Sequence, residues 1–461
     1  LKKTICFYTY TEGADNMASV NFEKFHTAQD VKAVIKHCDK EERKKTNHSN
    51  ADIQKNITDR NMVADADLVV KLYNQKNALQ QKLDALRQAR NENATKMKGK
   101  LDQDTRVALI AEGKKLKDDI AQLEKDYEEG EKAFKAAMMD IPNMAHPDAP
   151  VGKEDKENLE VKRWGNIPQF TFKPKDHVEL CEALDLVDFD TATRVSGTKF
   201  YYLKNEAVIL EMALTRYVMD IIMKEGFTPF ITPDVAKEEV AAGIGFNPRG
   251  EESNIYTVEG TGTCLVGTAE ITLGGYYAGK TIDAAKLPIK MAGLSHCFRR
   301  EAGAAGQFSR GLYRVHQFSK IEMFIYCMPE KSDEMHQYIR SVEEKIFQGL
   351  DVPYRVVDTC TGDLGASAYR KYDLEAWMPG RGDYGEITST SNCTDFQARR
   401  LGIKYKNADG TNYLHMLNGT AVAVSRAMVA VLENYQNADG SITVPPALVP
   451  FCGFDKIEAK K

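Results

Sequence analysis

Cys297-Phe298-Arg299-Arg300-Glu301-Ala302-Gly303-Ala304-Ala305-Gly306, resuming at Arg310-Gly311-Leu312-Tyr313-Arg314-Val315-His316-Gln317-Phe318-Ser319-Lys320-Ile321-Glu322-Met323, reads as a strand, a glycine- and alanine-rich loop and a second strand. Arg299 and Glu301 are two apart, so on a strand they share a face. That pair alone is compatible with a simple salt bridge. The small-residue loop, with a further arginine at its far end, adds a second reading. A polyphosphate could lie across such a hairpin with planar, permanently charged guanidinium forks around it.

Two further segments flank this hairpin. Upstream, Gly226-Phe227-Thr228-Pro229-Phe230-Ile231-Thr232-Pro233-Asp234-Val235 follows an amphipathic helix and reads as a C-cap glycine, a strand and a proline exit. Downstream, Leu417-Asn418-Gly419-Thr420-Ala421-Val422-Ala423-Val424-Ser425-Arg426 opens an apolar helix running to Leu432. Small residues at 419, 421 and 423 allow close backbone approach, and Arg426 projects from the first turns. From about Arg163 onward, β-like runs (Phe200 to Leu203, Leu312 to Val315, Ile321 to Tyr326) alternate with helical stretches (Glu206 to Glu225, Lys331 to Gly349). The texture is α+β, without the spacing of repeated βαβ units.

The N-terminal part has a different grammar. From Ala64 to about Asp140 there is no proline. Leu109, Gly113, Leu116, Ile120, Leu123, Tyr127, Gly130, Phe134, Ala137 and Ile141 alternate spacings of four and three, the signature of a coiled-coil seam. Before it, Leu68, Leu72, Leu79, Leu83 and Leu86 form a less regular stripe. Asn91 to Lys100 reads as the turn between them, so two helices should fold back as an antiparallel hairpin. At ~1.5 Å per residue each arm spans roughly 45–55 Å. Ile141-Pro142-Asn143 ends the arm, and prolines 142, 147 and 150 mark a linker. The expected divisions are a 1–63 segment of undetermined structure, a 64–141 helical arm, a 142–162 linker and a 163–461 catalytic domain.

The chain has 461 residues, 28% of them charged and 43% hydrophobic, with net charge −5. That excludes wholesale disorder, and a long solvated arm accounts for the charge surplus. A net acidic chain must use a local patch for any nucleic acid. Residues 64–100 hold eight basic side chains against four acidic, and 101–140 hold seven against eleven. The basic set includes Lys82, Arg87, Arg90, Lys96, Lys98 and Lys100. A salt-bridged hairpin and a phosphate-contacting one both fit that balance. No apolar run reaches the ~18–20 residues of a membrane span. Nine cysteines without a CxxC pair argue for a reducing compartment and against a zinc cage. The chain begins at Leu1, so a processed or truncated start is expected, with Met17-Ala18-Ser19 offering a native one. Glu12, Asp15, Glu23 and Asp30 do not suit a transit peptide, which is poor in acids. A mature mitochondrial or plastid protein would nevertheless have lost its leader, so those compartments stay open beside the cytoplasm.

Taken together, order, spacing and identity resemble the class II aminoacyl-tRNA synthetases, and within them the bacterial or organellar seryl family. The 226–235 segment looks like motif 1, Phe298-Arg299-Arg300-Glu301 like motif 2, and Gly419 to Arg426 like motif 3. Val266-Gly267-Thr268-Ala269-Glu270 and Gly385 to Arg400 resemble stretches particular to the seryl enzymes, as does the helical arm itself. Motif 3 departs from the general pattern, since Ala421 and Ala423 stand where glycines are usual.

The resemblance implies an antiparallel sheet flanked by helices behind the arm. It implies ATP-dependent ligation of L-serine to serine tRNA through a seryl-adenylate, and leaves open whether selenocysteine tRNA is charged with serine as well. Arg299, Glu386 and Arg426 are the implied catalytic residues. ATP would meet Arg299 at its α-phosphate, Glu301 and Phe318 at its adenine, Glu386 and Ser389 with Mg²⁺, and Arg426 at its γ-phosphate. Serine would meet Thr268, Glu270, Glu322, Asn418 and Thr420. Gly226 to Pro233 would lie in a homodimer interface. The arm would cross the tRNA to its long variable arm. The expected location is the cytoplasm, with a mitochondrial or plastid matrix as the alternative, and neither zinc nor membrane contact is expected. Competing readings are a same-class enzyme for threonine or proline, a zinc-dependent seryl variant, an inactive RNA-binding paralogue and a coiled-coil structural protein. Thr268-Ala269-Glu270 speaks against the first, the lack of clustered Cys and His against the second, the intact Arg299, Glu301, Glu386 and Arg426 against the third, and the long C-terminal part against the last.

Overall fold

The computed structural model describes residues 48–246, 254–301 and 311–458. The Met17 start, the acidic residues before 31 and the Gly303 to Arg310 loop lie outside the described residues. The chain divides into two compact units with a boundary after Pro142.

In the first unit, helix α1 (Asn50–Asp59) opens on a capping box. The Ser49 hydroxyl accepts from the Asp52 N–H, and the Asp52 carboxylate accepts from the Ser49 N–H. Ile53 and Ile57 are buried on its inner side. Helices α2 (Ala66–Lys96) and α3 (Gln103–Asp140) form the hairpin. Aspartates cap both: Asp65 accepts from the Leu68 N–H, and Asp102 from the Thr105 N–H. None of the ten expected seam positions from Leu109 to Ile141 is exposed; Ile120 and Ile141 are buried and the other eight half-buried. Gly113 and Gly130 belong to that seam because their partners come close. A Cβ would stand 3.2 Å from Asn93 Oδ1 at the first and 3.3 Å from Leu79 Cδ1 at the second.

Two expectations for α2 need correction. Leu68 is 43% exposed, while Val69 beside it is 2% exposed and is the buried residue there. The helix also runs through Asn91 to Lys96, so the turn begins only at Met97. Asparagine ordinarily competes with its own backbone. Here Asn93 Nδ2 donates across the hairpin to the Leu109 carbonyl (3.2 Å) and to Glu112 Oε2 (2.8 Å). That bond replaces the competition and pins the register of the two helices.

The second unit is built on one eight-stranded sheet: β1 (Leu159–Trp164), β2 (Thr228–Ile231), β3 (Ile289–Phe298), β4 (Gln317–Cys327), β5 (Tyr354–Asp358), β6 (Arg370–Met378), β7 (Asp383–Asn392) and β8 (His415–Ala423). The spatial order is β1-β5-β6-β7-β8-β4-β3-β2. Every pairing is antiparallel except β2 with β3. The helices that matter for the site are α4 (His177–Ala183), α5 (Glu206–Lys224), α6 (Glu270–Gly275), α7 (Ser332–Gly349), α8 (Phe396–Leu401) and α9 (Val424–Asn434).

Strand alternation sorts the sheet into two faces. On β4, Ile321, Met323 and Ile325 join the main core with residues of α5, α7 and α9, whereas Phe324 and Tyr326 enter a second core with α6. Helix α7 covers one face. Its Glu343 accepts from Thr388 Oγ1 (3.3 Å), and its His336 meets the Thr390 carbonyl (3.1 Å). Gly419 is required there, since a Cβ would lie 2.2 Å from Ile339 Cγ2. The residues between these, Asn418, Thr420, Ser389 and Glu322, point to the opposite face.

Three local expectations differ from the structure. Leu312 to Val315 is not a strand; β4 starts at Gln317. The run Phe200 to Leu203 contributes only Tyr202–Leu203 to a two-stranded pairing. The 142–162 linker is bonded into the second unit from 143 onward. Asn143 donates to the carbonyls of Ser367 and Cys393 (both 2.9 Å), and Leu159 already belongs to edge strand β1. Prolines exclude helix, but they leave carbonyls and neighbouring amides free to bond elsewhere.

Candidate active site

Strand β3 ends at Phe298, and the chain turns away at Arg299. The Arg299 N–H donates to the His316 carbonyl (2.9 Å) and His316 Nδ1 to the Arg299 carbonyl (2.8 Å), closing the neck of the 299–316 loop. Arg299 and Glu301 therefore do not share a strand face. Glu301 has φ +47° and pairs with Arg314 instead (3.2 Å). Arg299 Nε donates to the Gly267 carbonyl (3.2 Å), and its guanidinium sits 5.4 Å from the ring centre of Phe318. An arginine and an aromatic face held together make a platform for a nucleotide.

A polar pocket lies beside Arg299. Thr268 Oγ1 accepts from the Glu270 N–H (3.1 Å), fixing the start of α6. Glu270 Oε1 accepts from Asn418 Nδ2 (3.0 Å) and from Gln397 Nε2 (2.7 Å). Burial, reinforced by the charge of Glu322, pushes the Glu270 carboxyl up to about 7. Glu322 is 2% exposed; its Oε2 meets Lys320 Nζ (2.5 Å) and accepts from Thr420 Oγ1 (3.3 Å). A β-bulge between Ile321 and Glu322 sets Glu322 opposite Thr420. The five residues expected to hold serine thus form one cluster. Two buried acids, one of them paired with Lys320, and several neutral donors suit a small ligand carrying an ammonium and a hydroxyl.

The third group sits on β6 and β7. Glu386 and Ser389 are three apart, a spacing that puts residues on opposite faces of a regular strand. A bulge resolves this: Glu375 pairs with Glu386 and Asp373 with Ser389, so Ile387 is the extra residue and both side chains share one face. Arg426 Nη1 reaches Glu386 Oε2 (3.2 Å) and the Glu386 carbonyl (3.1 Å), while Nε donates to the Tyr313 carbonyl (3.3 Å). Burial alone would raise the Glu386 carboxyl. The charges of Arg426, Lys371 and Arg299 outweigh it and hold the group well below the usual range. Lys371 in turn pairs with Asp373 (3.0 Å), whose Oδ1 has no hydrogen-bond partner among the described residues. The charge of Arg299 lowers both the Glu270 and the Glu386 carboxyl.

No cluster of three metal-ligating side chains exists among the described residues. A carboxylate and a hydroxyl on one face do fit Mg²⁺, which binds through one or two carboxylates plus substrate phosphates and keeps several waters. On the arm, Lys82, Arg87, Arg90, Lys96, Lys98 and Lys100 are all exposed. Arg87 also makes an ion pair with Glu124 across the hairpin (2.8 Å). Gly226 has φ +78° and ends the turn before β2, and Pro233 follows that strand.

Lys320, Gln397, Tyr313 and Lys371 belong to the site and were not among the expected residues. Lys320 was legible, being two before Glu322 on one strand. The other three reach the site only through tertiary packing.

Comparisons with known proteins identify the family. Residues 256–435 match the family described as tRNA synthetase class II core domain (G, H, P, S and T), and residues 46–145 match the seryl-tRNA synthetase N-terminal domain. A serine–tRNA ligase of Treponema denticola is 64% identical over 408 residues, spanning 88% of this chain and 97% of the relative. The crystal structure of seryl-tRNA synthetase from Pyrococcus horikoshii complexed with ATP aligns with a TM-score of 0.80 and 38% identity over 89% of this chain and 97% of that one. A cytoplasmic serine–tRNA ligase from Naegleria fowleri in complex with AMP aligns with a TM-score of 0.75 and 32% identity, covering 89% and 95%. Two domain matches in the order read from the sequence, with a relative this similar along nearly its whole length, establish that the chain belongs to the seryl-tRNA synthetases, class II enzymes that ligate serine to tRNA.

Proposed function

We propose the following division of labour for this serine–tRNA ligase. In the first step a carboxylate oxygen of serine bonds to the α-phosphorus of ATP, the bond from that phosphorus to the bridging oxygen breaks, and pyrophosphate leaves. The nucleophile is already ionised, so no side-chain base is needed. Catalysis is then positioning plus stabilisation of charge on phosphate oxygens. Arg299 meets the α-phosphate and the serine carboxylate, Phe318 and Glu301 flank the adenine, and Arg426, braced by Glu386, takes the far end of the triphosphate. Mg²⁺ held by Glu386 and Ser389 would neutralise charge on the β- and γ-phosphates. Glu270 and Thr268 receive the serine ammonium, and Glu322 with Thr420 its hydroxyl. Asn418 keeps Glu270 oriented. A pocket that hydrogen-bonds a substrate hydroxyl rejects analogues lacking it by roughly 10⁴-fold or more. In the second step the terminal ribose 3′-hydroxyl of tRNA attacks the seryl carbonyl, the bond from that carbon to the AMP phosphate oxygen breaks, and AMP leaves with the hydroxyl proton.

The observation carrying this reading is the buried cluster of Glu270, Glu322, Asn418 and Thr420, together with Arg426 paired to Glu386. The ATP and AMP complexes of the two aligned structures support it. The basic tip of the arm would contact phosphates, positioning tRNA by shape without reading bases. Serylation of selenocysteine tRNA is included on the resemblance alone. A homodimer through Gly226 to Pro233 is supported by Ile231, 87% exposed, and by exposed Ile209, Met212 and Met223 on α5. The bacterial relatives support a cytoplasmic site of action.

Arg299→Ala tests the assignment. Adenylate formation, followed by serine-dependent ATP–pyrophosphate exchange, should fall by roughly two to three orders of magnitude in a folded protein. Near-normal exchange would remove Arg299 from its role.

A further inference from the structure

Seven residues beyond Arg426, two turns along α9, lies the buried carboxylate of Glu433. Its Oε1 accepts from the His177 backbone N–H (3.0 Å) and faces His177 Nδ1 (2.9 Å), while Oε2 accepts from the Gly380 N–H (2.9 Å). The other ring nitrogen of His177, Nε2, accepts from the Leu312 N–H (3.2 Å). These partners assign the tautomer with its proton on Nδ1. Gly311 lies against the ring so closely that a Cβ there would stand 2.3 Å from Nε2.

The next residue, Tyr313, touches the triphosphate end of the site three ways. Its carbonyl accepts from Arg426 Nε (3.3 Å), its hydroxyl donates to the Glu386 carbonyl (2.9 Å), and its ring lies 4.8 Å from the Arg426 guanidinium. The contacts close a circuit from Arg426 through Tyr313, Leu312, His177 and Glu433 back along α9. A plain helix-capping role does not require the imidazole. Asp176 already accepts from the Val178 and Glu179 N–H groups, and the reciprocal Glu179 contact completes a capping box.

We propose that His177, held by Glu433, is a positioning residue for ATP. It fixes the backbone of Leu312 and Tyr313, and Tyr313 aims the Arg426 guanidinium. Arg426 spends Nε and Nη1 on the protein, so its direction, and with it the approach of Nη2 to a phosphate, follows from where Tyr313 sits. This rests on the reading of Arg426 as the clamp on the far end of the triphosphate.

The test compares His177→Phe, which cannot accept from Leu312, with His177→Gln, whose side-chain oxygen can. Pyrophosphate exchange is measured with ATP and with serine varied in turn. Displacing a positioned group by about 1 Å can cost up to roughly 100-fold, so His177→Phe should raise the ATP KM or lower kcat by about 10- to 100-fold. The serine KM should stay within about twofold, because among the described residues no side-chain hydrogen bond or ion pair joins the serine-pocket residues to the circuit. His177→Gln should recover most of the loss. In an Arg426→Ala background, His177→Phe should add little, since both act through one guanidinium. An ATP KM and kcat unchanged in His177→Phe, an equal rise in both KM values, or an additive double variant would overturn the proposal. Should the phenylalanine variant not fold, Glu433→Gln is read in the same way. An Arg426→Ala enzyme with normal ATP kinetics would instead overturn the reading beneath it.

Discussion

Gln397→Met removes one of two hydrogen bonds to Glu270 Oε1, the shorter, at 2.7 Å. The Asn418 bond at 3.0 Å remains. Burial and the charge of Glu322 already raise the Glu270 carboxyl to about 7, and the Gln397 amide opposes them. A hydrogen bond to a charged group contributes about 1.5–3 kcal/mol. At ~1.4 kcal/mol per pH unit, its loss moves Glu270 upward by about one to two further units. A serine ammonium requires the ionised carboxylate, so kcat/KM for serine rises with pH through the Glu270 value. In the native enzyme that limb should centre near 7. In the variant it should move to about 8–9, costing roughly 5- to 50-fold at about pH 7 and clearly less at about pH 8. The assay is serine-dependent ATP–pyrophosphate exchange at saturating ATP, from about pH 6 to about pH 8. The ATP KM should not change. A variant profile parallel to the native one, or no loss at the lower pH values, would refute the claim that Gln397 keeps Glu270 ionised.

Two further outcomes concern the rest of the molecule. Deleting residues 83–116 shortens the hairpin within the first unit; pyrophosphate exchange should persist at near-native rate while charging of serine tRNA falls by roughly 100-fold or more, as expected when phosphate contacts are lost. Equal charging by the shortened protein would sink the role of the arm. Ile231→Asp puts a charge on an exposed apolar residue of β2 and should shift the protein to monomer in light scattering at about micromolar concentration. An unchanged mass would refute the assigned interface.

The hairpin was legible because its period is local. A four-three spacing needs no distant partner to be read, and none of the ten seam positions is exposed. Its errors were Leu68, where Val69 is the buried residue, and the early turn, where Asn93 bonds across the hairpin to Leu109 and Glu112. Leu312 to Val315 looked like a strand by composition. In the structure Leu312 donates to His177, and Tyr313 is bonded to Arg426 and Glu386, so this backbone is committed elsewhere than to a ladder.

The sequence by itself determined the arm, the order of the three motifs and the identities of the acids and arginines, since these are properties of residues and spacings. Only the tertiary structure decided how they meet. The bulge at Ile387 turns Glu386 and Ser389 to one face, and the bulge before Glu322 sets it against Thr420. Gln397 and His177 entered the site from helices whose relation to it no spacing encodes. A buried acid takes its ionisation from neighbours that are close in space and far in sequence, as Glu270 does from Glu322 and Gln397, and chain order alone carries no such distance.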